Sequence, residues 1–164
     1  MFQSQREFER IVLPHTASLL RFARRLHGGR QAAEDLVQET LLLAWRGFRT
    51  FERNSNARAW LFRILINAFY GQGRKARTSP KTVPITEHRS SGSDATERLE
   101  VQQAMAGLSE EHRAVLLLAV VEGFTSREIA QILSIPAGTV MSRLSRARQA
   151  LREVLTSVHS TKDS

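Results

Sequence analysis

The sequence predicts an all-α protein of two small helical domains joined by a flexible linker, the C-terminal domain a helix-turn-helix. Three observations predict it. Apolar residues recur at helical spacing in both halves of the chain, as in Leu36, Val37, Thr40, Leu41 and Ala44, and no stretch alternates convincingly as a strand. Between the halves, Gly71 to Ala95 holds two prolines, three glycines and many Ser and Thr with little apolar periodicity, the composition of a linker. Near the C-terminus, a short periodic segment is broken at Ser134–Pro136 and followed by a second one rich in arginine.

The totals narrow the class. The chain has 164 residues, 41% of them apolar, enough for a buried core and unlike a disordered chain. Lys and Arg number 24 against 16 Asp and Glu, a net +8 that suits a polyanionic partner. Residues 1–70 carry 11 basic and 6 acidic side chains, +5; residues 96–164 carry 8 and 8, with most acids early and the arginines late. There is no cysteine, which excludes disulfides and thiol chemistry. MFQSQREFERIV has no signal-peptide apolar core, and the longest aliphatic block, Leu116 to Val121, is far short of the ~20 residues of a membrane span. A cytoplasmic protein without membrane insertion is expected. The five histidines, at 15, 27, 88, 112 and 159, lack metal-ligand spacing, so no metal and no cofactor are expected, and nothing reads as catalytic.

Helices are predicted near 4–27, 32–47, 57–75, 96–106, 110–122, 126–133 and 137–156. QAAEDLVQETLLLAW has more leucine than one core face uses, and its second face runs Asp35, Gln38, Glu39, Leu42 and Arg46. A carboxylate pair beside an outward leucine suits protein docking; the same pattern also describes a solvated surface helix. In NARAWLFRILINAFY, Leu61, Ile64, Leu65 and Ala68 can face the core, while Arg63, Asn67, Tyr70 and Arg74 share another stripe with Trp60 at its edge. Cations that hold phosphates and rings that stack on bases suit single-stranded nucleic acid, although Trp60 also reads as partly core.

In TSREIAQILSIPAGTV, Thr125 or Ser126 can cap a short helix with Glu128 in its first turn, and Pro136 can open the next. That second helix has an inward stripe of Val140, Leu144, Ala147 and Leu151. Ser142, Ser145, Arg146 and Gln149 lie opposite, with Met141 and Arg143 flanking. Small residues permit close approach, and arginine forks onto guanine or phosphate, so this helix is expected in a DNA major groove. Gly138 and Thr139 at its start are placed to favour a phosphate. The plain alternative is a helical hairpin with a solvated basic face.

AEDLVQETLLLAW, NARAWLFRILINAFY, LSEEHRAVLLLAVVEGFTSREIAQIL and IPAGTVMSRLSRARQALRE together resemble the extracytoplasmic-function sigma factors of bacterial RNA polymerase. The resemblance covers nearly the whole chain outside the linker. It implies domains at 1–76 (region 2), a linker at 77–95 and a domain at 96–164 (region 4). It implies that Asp35, Gln38, Glu39 and Leu42 dock on the β′ clamp helices of core RNA polymerase. Asn54, Asn56, Trp60, Arg63, Asn67, Tyr70 and Arg74 would recognise and melt the promoter −10 element. Gly138, Thr139, Met141, Ser142, Arg143, Ser145 and Arg146 would read the −35 element. The polymerase β flap and an anti-sigma factor are further implied partners, and a stress response the implied setting.

Two departures stand out. After INAFY many relatives carry an acid and a dense arginine run; here GQGRKAR brings two glycines that weaken a helix by ~1 kcal/mol each, so this helix is expected to end early. Ser134 stands where relatives often carry glycine, a source of strain if the position is left-handed. The rival functions are a helix-turn-helix repressor, which gives no reason for the leucine-rich acidic face, and a sigma-like decoy, which would be expected to lose Arg143 and Arg146.

Overall fold

The computed structural model describes residues 2–76 and 93–162, all of whose regular structure is helical. The chain divides into two compact units, Met1–Pro84 and Ile85–Ser164. Most of the expected linker lies outside the described residues. No described helix is long and apolar enough to cross a membrane.

The first unit contains α1 (Phe2–Val12), α2 (Thr16–His27), α3 (Arg30–Gly47) and α4 (Ala57–Ala76). The single helix expected over 4–27 is in fact two. Pro14 lacks the N–H that a continuous helix would use, and the chain passes through a 3₁₀ turn at Leu13–His15 before α2 begins. Gly28 ends α2 in the left-handed conformation, φ 73°, its N–H on the Arg24 carbonyl at 2.8 Å. α3 packs on both α2 and α4, and α1 lies against α4. Their shared core is Leu19, Phe22 and Leu26 from α2, Leu36 from α3, and Leu61, Phe62 and Leu65 from α4. Phe22 meets Phe62 edge to face with centroids 5.1 Å apart. Thr40, a polar side chain buried in this core, satisfies its hydroxyl on the Leu36 carbonyl at 2.7 Å. Leu41, expected in the core, is only half-buried.

The expected early end of α4 does not occur: the helix runs through Gly71 and Gly73 to Ala76. The long preceding stretch of α4, packed on α2 and α3, carries it past two weak positions, since packing outweighs ~1 kcal/mol of propensity per glycine.

The second unit contains α5 (Ser93–Ala106), α6 (Glu110–Leu116), α7 (Ser126–Leu133) and α8 (Ala137–Lys162). α5 begins before the predicted 96, so Ser93–Ala95 are helix rather than linker, and α8 outlasts the predicted 156. Arg113 joins α5 to α6: its Nε donates to the Met105 carbonyl at 2.9 Å and Nη2 to those of Ala106 and Leu108 at 3.2 and 2.9 Å. The first two carbonyls lie in the last turn of α5 and the third in the turn that follows it, and a cation is favoured at that helix end. Burial lowers the Arg113 pKa, Glu110 opposing, yet a guanidinium stays charged. Ser109 caps α6 by accepting from the His112 N–H at 3.2 Å. The helix predicted over 110–122 changes character at Leu117–Val121, a π turn closed by the Glu122 N–H on the Leu117 carbonyl at 3.1 Å. α5, α6 and α7 all pack on α8, around Val115, Leu118, Ile129, Ile132, Val140 and Ala147.

Candidate nucleic-acid interface

The second unit's candidate site starts at a cap. Thr125 and Glu128 form a reciprocal capping box: Glu128 N–H donates to Thr125 Oγ1 at 3.2 Å and Thr125 N–H to Glu128 Oε2 at 2.7 Å. α7 ends at Ser134, which adopts φ 55°, ψ 45°; the left-handed conformation anticipated for this position is present, held by a side chain that prefers to avoid it. The Ile135 N–H reaches back to the Ala130 carbonyl at 3.1 Å, and Pro136 accepts from the Thr139 N–H at 3.0 Å to start α8. That bond removes the Thr139 amide from the group that would hold a phosphate, leaving its half-exposed side chain.

α8 separates its two faces. Val140, Leu144 and Ala147 are buried against α6 and α7, and Leu151 is half-buried where the packing thins out. Gly138, Ser142, Ser145, Arg146 and Gln149 are exposed, and Met141 is 58% exposed. Met141 is steadied by α7, the Ser126 hydroxyl donating to its Sδ at 3.2 Å. Arg143 differs from Arg146. It is only 24% exposed and pairs through Nη2 with Glu111 of α6 at 3.5 Å, so this candidate −35 residue already has a carboxylate partner.

The first unit carries the other two candidate surfaces. On α3, Asp35, Gln38 and Leu42 are exposed, Leu42 at 49%, with Leu43 and Trp45 adding exposed apolar surface toward the C-terminal end. Glu39 is half-buried and accepts from Gln72 Nε2 of α4 at 2.7 Å. Asp35 accepts from Gln31 within α3 at 3.0 Å. The sequence reading missed the Gln72 partner because 33 residues separate the pair.

The candidate −10 residues occupy one side of α4 and the loop before it. Asn54 is exposed in the loop, while Asn56 caps α4, its Oδ1 accepting from the Ala59 N–H at 3.0 Å. Trp60 is half-buried and packs against Phe51 at 4.5 Å, so its reading as partly core holds. Arg63, Asn67 and Arg74 are exposed, and Tyr70 is half-buried with its ring 5.7 Å from Phe69. Arg74, beyond both glycines, remains on the ordered helix. Phe62, Ile66 and Phe69 also turn inward, core positions the spacing did not single out.

Comparison with known proteins matches both units. Residues 11–78 match the family model for sigma-70 region 2, and residues 98–151 match sigma-70 region 4. The ECF RNA polymerase sigma factor SigL of Mycobacterium tuberculosis is 40% identical over 149 residues, 86% of this chain and 84% of that one. EcfG of Rhodopseudomonas palustris, another ECF RNA polymerase sigma factor, is 36% identical over 88% of this chain and 82% of its own. Among solved structures, the sigma factor RpoE of Bartonella quintana, in complex with the anti-sigma factor NepR, superposes with a TM-score of 0.77 at 35% identity, covering 92% of this chain and 97% of that one.

Proposed function

The chain belongs to the extracytoplasmic-function sigma factors of bacterial RNA polymerase, which direct promoter recognition and transcription initiation, and from that premise we propose how its surfaces divide the work. The second unit reads the −35 duplex with α8. The face of α3 bearing Asp35, Gln38, Glu39 and Leu42 docks on the β′ clamp helices, and α4 with the loop before it receives −10 bases as they unstack. The observation that carries this reading is the separation of faces on α8. Val140, Leu144 and Ala147 are buried beneath the helices that pack on α8, so Ser142, Ser145 and Arg146 project from the anchored part of that helix. The protein acts in the cytoplasm as a specificity subunit and not as an enzyme, in a stress response. The RpoE–NepR complex supports an anti-sigma factor as its silencing partner.

Run-off transcription with core polymerase tests the assignment. Leu42→Arg with Glu39→Arg should abolish core binding and transcription while circular dichroism stays helical. Normal transcription by that double variant would refute the docking role of α3.

A further inference from the structure

Beside the −10 loop lies an open groove of about 500 Å³ that none of these roles uses. It is lined by Gln3, Ser4, Arg6, Glu7 and Arg10 of α1 and by Arg53 of the loop. Three guanidiniums face one carboxylate there. That carboxylate is engaged: Glu7 Oε1 accepts from Arg53 Nε at 3.0 Å, with Glu7 largely covered and Arg53 71% exposed. The contact uses one of the five N–H donors of Arg53, so its Nη groups remain for a second anion. Arg6 and Arg10 are exposed and stand one turn apart, about 6 Å along the helix axis, a spacing suited to successive phosphates of an unstacked strand.

We propose that this groove holds the phosphodiester backbone of the single strand released at the −10 element, extending the DNA path from the Phe51–Asn56 loop onto α1. The inference rests on the −10 role proposed for that loop. The lining favours backbone over bases because it offers cations, an amide and a hydroxyl but no ring on which a base would stack. Continuity favours the −10 strand over other anions. Arg53 lies two residues from Phe51, whose ring packs on Trp60, and Phe8 of α1 meets Phe48, at the entry to the same loop, with centroids 5.2 Å apart. α1 therefore braces the loop as well as adding charge to it.

The test uses holoenzyme and a forked promoter whose non-template −10 strand is exposed. Arg6→Ala with Arg10→Ala should reduce the slope of log K against log salt by about 1.4, or ~0.7 for each single-strand phosphate that is no longer neutralised. Arg6→Lys with Arg10→Lys should restore it, since a phosphate needs only the charge. Core binding without DNA should be unchanged in both variants. An unchanged salt slope with the alanine pair would overturn the proposal, and so would a loss located in core binding, which would make the groove a protein-docking surface. Tyr70→Ala is measured in parallel. If it loses opening while the alanine pair does not alter the slope, the groove is off the DNA path and the −10 reading stands. If neither variant changes opening or slope, the −10 reading has failed and the groove inference falls with it.

Discussion

α8 and α4 present their candidate DNA-binding residues in different ways. On α8, packing and reading occupy opposite faces: Val140, Leu144 and Ala147 are buried while Ser142, Ser145 and Arg146 are exposed. On α4 the two duties overlap. Trp60 leans on Phe51 and Tyr70 lies beside Phe69, both half-buried, with only Arg63, Asn67 and Arg74 fully outward. The difference follows from the forms of DNA proposed for them. A duplex offers edges inside a groove, so its reader must protrude from a helix anchored elsewhere. An unstacked base needs a firm apolar wall, and a ring is firm only when its other side is packed. Function and stability should therefore be separable on α8 and entangled on α4.

The largest expected effect breaks α4. Trp60→Ala removes a half-buried ring packed on Phe51, and its stability cost should fall below the ~3–5 kcal/mol of fully buried aromatic truncations while remaining visible in thermal unfolding alongside lost promoter opening. Tyr70→Ala should cost ~1–3 kcal/mol for the lost base platform. It should keep −35 duplex binding while losing permanganate reactivity at −10. Unaffected melting would make Tyr70 a structural residue and remove the overlap of duties there.

The next effects sharpen the α8 side. Arg146→Ala should flatten preference at one or two −35 positions, ~1–3 kcal/mol of discrimination, with no change in thermal unfolding. Arg143→Ala should weaken all sequences about equally and lower the salt slope by ~1. The Glu111 carboxylate competes with phosphate for Arg143, so Glu111→Gln should tighten binding to every −35 variant. A partly exposed pair of this kind is worth at most ~1 kcal/mol, which limits the gain to about fivefold. Binding to a −35 library at two salt concentrations checks all three. Equal preference profiles and equal slopes would leave α8 a solvated helix.

The smallest effect is local. Ser134→Gly should stabilise the second unit by about 1 kcal/mol, because glycine adopts φ 55° without the Cβ penalty. Thermal unfolding should rise by several degrees. An unchanged or lower transition would mean that the serine compensates for its strain.

Most of the helices, the break at Ser134–Pro136, the inward stripe of α8 and a cap at Thr125 or Ser126 with Glu128 in the first turn are legible in the sequence. All of these follow from spacings of one to four residues, and helix geometry makes such neighbours predictable without knowledge of the fold. The same reasoning failed at Pro14, where a local signal was present and the apolar period on either side was read through it. It also failed at Gly71 and Gly73, where local propensity lost to packing. Which polar side chains are engaged depends on how the helices pack. Arg143 meets Glu111, Gln72 meets Glu39, Arg53 meets Glu7, and Arg113 closes the end of α5. The first three pairs join residues far apart in sequence, on elements whose docking no periodicity records. Arg113 is near its acceptors in sequence, but the turn between α5 and α6 had to fold back before its guanidinium could reach three carbonyls. A spacing states which way a side chain points relative to its own helix. What it meets there is set by the helix packed opposite.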